Sequence, residues 1–163
     1  DEVQFVIPIG LAPTTGTNTY PVVINSRGNV IRSTIQLLAS VPDLFAANGR
    51  AQAFNVTNPM AMMFPTEPFT VTSANEKGET VATKVRLIAT GVRAAGTGIT
   101  VRIKDTDITG TNVVVAATDT PGIDQIDVTL PAALAGAGDA TVIVTVSGAT
   151  SRPADSAPRI QIN

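Results

Sequence analysis

Polar and apolar residues alternate with a period of two along four short segments of the chain. In the first of them, Lys84 and Arg86 alternate with Val85, Leu87 and Ala89. A period of two places successive side chains on opposite faces of a β-strand, so one face lies on a core and the other in water. The four segments are residues 83–89, 99–104, 124–130 and 141–146. Several such strands at short spacing predict an all-β fold, a β-sandwich.

Turn-forming residues separate these strands. Residues 25–29 and 75–79 each place a glycine between runs rich in Val, Ile and Thr, where a hairpin requires positive φ. Both segments predict hairpin loops. Residues 42–49 predict one helical turn closed by Gly49 and mark a junction between two parts of the chain.

An internal repeat relates the two ends of the chain. Residues 1–8 match residues 124–131, because both form an alternating segment that ends in proline. Each copy continues through a small-residue loop to a valine-rich strand (20–24 or 141–146), a glycine turn (Gly28 or Gly148) and a last strand (30–38 or 159–162). Only the second copy also has an opening half, residues 46–122. The sequence therefore predicts a sandwich domain at 46–163, with additional N-terminal strands at 1–45 that form a partial second unit.

The partial unit at residues 1–45 needs a cover, because strands with one apolar face and free edges are rarely stable alone. Three arrangements remain open at this stage. The segment folds against residues 46–163 as extra strands, pairs with an opening half in a preceding domain, or completes a neighbouring copy of the chain.

The composition excludes several kinds of chemistry. The chain has no Cys, no His and no Trp, so a thiolate nucleophile, an imidazole base, a disulfide and a Cys/His zinc site are impossible within it. Acidic residues outnumber basic residues by 13 to 11, which gives no reason to expect nucleic-acid binding. The apolar runs, such as residues 113–117, are far too short for a membrane span. We expect no enzyme and no cofactor.

Three segments carry a resemblance to a known family. They are residues 42–49 (PDLFAANG), residues 85–92 (VRLIATGV) and residues 122–126 (GIDQI). In their order and spacing they resemble the uncharacterised immunoglobulin-like C-terminal domain family of large secreted acidobacterial proteins. The resemblance implies an extracellular β-sandwich used in surface or adhesive proteins, without assigned catalytic residues. The chain departs from the family at residues 55–80, where a methionine-rich segment replaces a polar loop.

Oxygen-rich segments provide the candidate ligand sites. Asp105, Asp107 and Asn112 lie in a segment that begins like a calcium loop, although Ala116 stands where the bidentate glutamate is needed. The alternative is an Asx-rich hairpin turn. Residues 55–57 match the N-glycosylation pattern.

Carboxylate pairs are poor candidates for acid/base catalysis. Asp124 and Asp127 are an odd number of residues apart on a predicted strand, so their side chains point to opposite faces. Glu76 and Glu79 flank an exposed turn, where neither carboxylate is desolvated.

Two apolar groups are candidate partner interfaces. Met60, Met62, Met63 and Phe64 lie between two prolines and either plug the end of the sandwich or present an apolar patch to a partner. Val3, Phe5 and Ile7 alternate along residues 1–8, so that their side chains could fill a groove in a partner.

These features predict a non-enzymatic, secreted cell-surface protein. The leading hypothesis is a subunit of a surface filament or pilus-like fibre, a homopolymer that assembles by β-strand addition at sheet edges. The alternative is an adhesion or carbohydrate-binding module of a larger secreted protein, with residues 105–112 among the loops that contact a surface glycan or protein ligand.

Overall fold

A computed structural model describes residues 5, 7–8, 10–93, 95 and 98–163. The fold is all-β, as the alternation predicts, and the chain divides into two units, Asp1–Ala39 and Ser40–Asn163. The boundary between the units follows Ala39, six residues before the predicted boundary after Phe45. No helix of the described residues is both long enough and apolar enough to cross a membrane.

Among the described residues of unit 1, strands β1 (Tyr20–Ser26) and β2 (Asn29–Ile35) form one hairpin. The remaining strands belong to unit 2: β3 (Asp43–Leu44), β4 (Ala46–Ala47), β5 (Arg50–Ala51), β6 (Ala53–Asn55), β7 (Thr72–Ala74), β8 (Thr80–Ala82), β9 (Lys84–Thr90), β10 (Ile99–Ile103), β11 (Thr106–Ile108), β12 (Val113–Ala117), β13 (Asp124–Thr129), β14 (Gly138–Val146), β15 (Ala149–Thr150) and β16 (Arg159–Ile162). Short 3-10 turns occur at Gly110–Asn112 and Ala132–Leu134.

Unit 2 is built from two main sheets. The larger has the order β11-β10-β14-β16-β5-β4, with β15 also paired to β14. The other has the order β12-β13-β9-β3, with β6 also paired to β9, and β7 and β8 form a separate hairpin. Apart from the parallel pair β16 and β5, the strand pairs are antiparallel.

The two main sheets share one hydrophobic core, an arrangement consistent with a β-sandwich. Alternate residues of the long strands are buried in it, as the period of two predicts. Largest among the fully buried side chains are Phe69, Leu44, Leu87, Ile103, Ile126, Leu130, Leu134, Ile160 and Ile162. Aliphatic residues dominate this core, and Phe69 is its one buried aromatic side chain among the described residues.

The helical turn predicted at residues 42–49 is wrong. The segment forms β3 and β4, followed by a two-residue turn at Asn48 and Gly49, whose φ angles are 52° and 76°. Positive φ at both central residues is the geometry that an Asn-Gly pair favours in a hairpin. The predicted hairpin at residues 75–79 is confirmed, since it connects β7 to β8.

The repeated hairpins have the same turn geometry. Arg27 and Gly28 have φ angles of 51° and 88°, and Ser147 and Gly148 have φ angles of 49° and 87°. Each pair connects two antiparallel strands in register. The turn of unit 1 therefore repeats the turn between β14 and β15 in unit 2.

Candidate functional site

A surface groove of about 390 Å³ lies on the outward face of β10 and β14. The alternation that buries Val101 and Val144 turns their neighbours Thr100 and Thr145 outward. Thr145 lies opposite Thr100 on one side and opposite Thr150 on the other, so three hydroxyl side chains form a row across the sheet. The other lining residues are Arg102, Asp107, Ile143, Arg152 and Pro153.

Ion pairs neutralise the arginines of this groove. The Arg102 guanidinium donates to both carboxylate oxygens of Asp107, with Nε at 2.5 Å from Oδ1 and Nη2 at 2.8 Å from Oδ2. This hydrogen bonding holds the pKa of Asp107 below its usual value and raises the pKa of Arg102. Arg152 pairs in the same way with Asp43, with Nη2 at 3.0 Å from Oδ2. The groove therefore offers hydroxyls and an apolar floor at Ile143 with little net charge, which suits a neutral polar ligand.

The calcium candidates lie on separate elements. Asp105 is exposed in the turn before β11, Asp107 is within β11, and Asn112 is exposed in a 3-10 turn. Arg102 already occupies the carboxylate of Asp107. In the described ranges, no group of three or more acidic, Cys or His residues is placed to hold a metal ion. The calcium site stays a prediction.

The methionine-rich segment lies at the surface. Met60, Met62 and Met63 are 77%, 106% and 85% exposed, and Phe64 is half-buried. Of the two alternatives for this segment, the exposed side chains favour the surface patch, because a plug would bury them. The segment at residues 1–8 is described only in part, and Val3 lies outside the described residues. Phe5 and Ile7 are exposed and outside any strand.

Asn55 belongs to a polar network that the sequence analysis missed. Its Nδ2 donates to Ser73 Oγ at 2.9 Å, and its Oδ1 accepts from the backbone N–H and the hydroxyl of Thr57. Ser73 in turn shares a hydrogen bond of 2.7 Å with Thr83, which is fully buried. The amide of the candidate glycosylation site is thus half-buried and already bonded within the chain.

Asp124 is a buried carboxylate at the start of β13. It is 3% exposed and accepts hydrogen bonds from the backbone N–H groups of Val92 and Arg93, at 3.3 and 3.2 Å. Arg93 Nε also donates to it at 2.8 Å. Asp127 points to the opposite face, as predicted, and pairs with Arg86. Asp124 is an even number of residues from Ile126 and Val128, so the alternation in the sequence already predicts that it faces the core.

A second ion-pair network joins β5, β14 and β16. Arg50 donates to Glu67 and Asp139, Arg159 donates to Asp139, and Glu67 accepts the backbone N–H of Gln161. Hydrogen bonding to Arg50 lowers the pKa of Glu67 and of Asp139, and Arg159 lowers the latter further. The network connects distant parts of unit 2, so its expected contribution is structural.

The hairpin of unit 1 presents an apolar face. Tyr20, Val22 and Ile24 alternate along β1 and are half-buried, and Ile31, which pairs with Ile24, is 61% exposed. At the equivalent positions of β14, Ala140, Val142 and Val144 are fully or almost fully buried. Equivalent residues of the two hairpins thus lie on the same face of the strand, but they are much more deeply buried in unit 2 than in unit 1.

Comparison of the chain with models of protein families, with curated proteins and with solved structures gave no match. The chain is an all-β protein, with a hydrophobic core in unit 2 and a hairpin in unit 1 whose apolar face is only partly buried.

Proposed function

We propose that this chain is a non-enzymatic extracellular structural protein, a subunit of a surface filament or pilus-like fibre assembled by β-strand addition. Its second unit is an immunoglobulin-like β-sandwich in this proposal. The observation that carries the proposal is the repeated hairpin. Its turn has the geometry of the turn between β14 and β15, but the apolar residues equivalent to the buried ones of β14 are only half-buried.

The apolar face of the hairpin favours association. Fully burying an aliphatic side chain contributes about 1.5 to 3 kcal/mol relative to leaving it exposed. Ile31 is 61% exposed, and Val22 and Ile24 are only half-buried. A sheet packed over this face would give these residues the burial of their equivalents in unit 2.

Backbone groups at the edge of β1 also favour association. Strand β14 pairs with β10 on one edge and with β15 and β16 on the other, whereas β1 pairs with β2 alone within the described residues. Because Ser26 and Asn29 close a two-residue turn, alternation directs the N–H groups of Val23 and Asn25 away from β2. An added antiparallel strand can bond to them as β10 bonds to β14.

Two further surfaces belong to the proposal. Val3, Phe5 and Ile7 alternate along residues 1–8. Their side chains would fill a groove in a neighbouring subunit, and this fit would fix the register of the added strand. Met60, Met62, Met63 and Phe64 would form a soft apolar contact between subunits.

The test is assembly of the untagged protein across a concentration series, followed by light scattering and negative-stain imaging. We expect fibres of regular repeat, and we expect Ile31→Lys or deletion of residues 1–8 to abolish them. Val30→Lys is the matched control, because Val30 is 49% exposed on the opposite face of the same strand. A monomer at every concentration, or fibres that both lysine variants still form, would refute assembly through this hairpin.

The groove on β10 and β14 favours a second candidate, an adhesion or carbohydrate-binding module. A row of three threonine hydroxyls beside neutralised arginines suits a polyhydroxylated ligand. Screening against neutral oligosaccharides tests this function, with Thr145→Val expected to abolish binding. Thr141→Val on the same strand is the control, because Thr141 does not line the groove. Equal binding by both variants would exclude the groove as the glycan site.

A further inference from the structure

All of the soft donor atoms of this chain lie in one exposed loop. The chain has three methionines and neither Cys nor His, and the three methionines fall within four residues, at positions 60, 62 and 63. Their side chains are 77%, 106% and 85% exposed, so no packing contact fixes the sulfurs. We name residues 59–65 the methionine loop.

The loop is short enough for its three thioethers to reach one ion. Three residue steps span at most about 11 Å when fully extended, and the loop is bent. Asn58 fixes the bend, since its Oδ1 accepts from Met60 N at 3.0 Å and its carbonyl oxygen accepts from Ala61 N at 3.2 Å. At the base of the loop, Asn55 N donates to the carbonyl oxygen of Pro65 at 2.7 Å. Each methionine adds three rotatable bonds, with which its sulfur can adjust to a shared ligand.

We propose that the methionine loop binds one soft univalent cation, copper(I) or its analogue silver(I), through the sulfurs of Met60, Met62 and Met63. Thioether sulfur selects copper(I) over harder ions, which prefer oxygen donors. Residues 59–65 contain no carboxylate, thiolate or imidazole, so the loop offers little to calcium, magnesium or zinc. Neutral donors leave the complex with a single positive charge, which the exposed position keeps in contact with water.

The test is a silver(I) nitrate titration of the full chain labelled with carbon-13 at the methionine methyl groups. Three resonances report on three sulfurs, and no other Met, Cys or His exists to compete. We expect all three to shift together and to saturate at one silver per chain. Calcium and zinc salts should leave the spectrum unchanged. Copper(I), added without oxygen in competition with a bicinchoninate chelator, should occupy the same site.

Leucine variants separate the sulfur from the apolar surface. Leucine has nearly the volume of methionine without the donor, and these side chains are exposed, so the fold should not change. The triple variant Met60→Leu, Met62→Leu, Met63→Leu is expected to lose silver binding, and each single variant to bind more weakly. Phe64→Leu is the control and keeps all three donors.

Three results would overturn the site. They are unshifted methyl resonances at equimolar silver, resonances that shift independently with more than one silver bound, and a triple variant that binds silver as tightly as the natural chain. The titration is made on the chain below the concentration at which it assembles, so the site is tested while the methionine loop is free of the proposed contact between subunits.

Discussion

Replacement of Gly91 by alanine tests the packing at the end of β9. A Cβ atom at this position would lie 2.1 Å from the carbonyl oxygen and 2.8 Å from the carbonyl carbon of Val41, and φ of Gly91 is +69°. Gly136 has the same φ of +69° and no atom within 4 Å of the equivalent Cβ position. The two glycines therefore differ in the steric contact and not in the backbone conformation.

The expected loss of stability has two parts. The left-handed conformation costs an alanine about 1 to 2 kcal/mol, and this part is common to Gly91→Ala and Gly136→Ala. Overlap with the Val41 backbone adds about 1 to 3 kcal/mol, the usual range for overpacking. Gly91→Ala should therefore lower the free energy of unfolding by about 2 to 5 kcal/mol, and Gly136→Ala by about 1 to 2 kcal/mol.

Urea unfolding monitored by far-UV circular dichroism measures both variants. The midpoints should separate in the order natural chain, Gly136→Ala, Gly91→Ala, with similar dependence of the free energy on urea. If the two variants are destabilised equally, within about 0.5 kcal/mol, the contact with Val41 is not a constraint and the reasoning fails.

Two other predictions concern the buried and half-buried charges. Asp124→Ala should lower the free energy of unfolding by about 2 to 3 kcal/mol, less than a fully buried pair, because the side chain of Arg93 is half exposed. Asp124→Asn keeps an acceptor and should recover part of that loss in the same urea assay; an equal loss would contradict the hydrogen-bond account. Because the folded state lowers the pKa of Glu67, its ionised carboxylate stabilises the folded state. This contribution is fully present above the ordinary glutamate pKa of about 4.3 and is lost as the pH falls through the pKa of Glu67 in the folded state. Unfolding from pH 7 to pH 2 should therefore show a steeper acid loss for the natural chain than for Glu67→Gln, and parallel curves would count against the pair with Arg50.

The sequence was sufficient for the long strands and insufficient for the short ones. Seven residues of β9 alternate clearly, because each strand position faces either the core or water. Strands of two residues, such as β3 and β4, are too short to show any period, so the closing Gly49 suggested a helical turn instead. The Asn48-Gly49 pair was the better signal, since it favours a hairpin turn.

One candidate surface could be predicted from the sequence and the other could not. The position of the methionine loop could be predicted from the sequence, because two prolines bracket a run without a strand period, whereas its exposure could not. The groove could not, because the row of Thr100, Thr145 and Thr150 depends on which strands pair and in which register. Thr100 and Thr145 are 45 positions apart, and strand register over that separation leaves no local pattern in the sequence. The acceptor role of Asp124 likewise depends on a contact with Arg93, which lies 31 positions earlier in the chain.

The position of the single tyrosine gives the two units separate optical signals. The chain has one Tyr and no Trp, and Tyr20 lies in β1 of unit 1, with its hydroxyl donating to the carbonyl oxygen of Ala12 at 3.1 Å. Tyrosine fluorescence therefore reports on unit 1 alone, whereas most of the peptide ellipticity comes from the strands of unit 2. Melting curves recorded with both signals distinguish a hairpin that unfolds by itself from one that unfolds together with the larger unit, without any label.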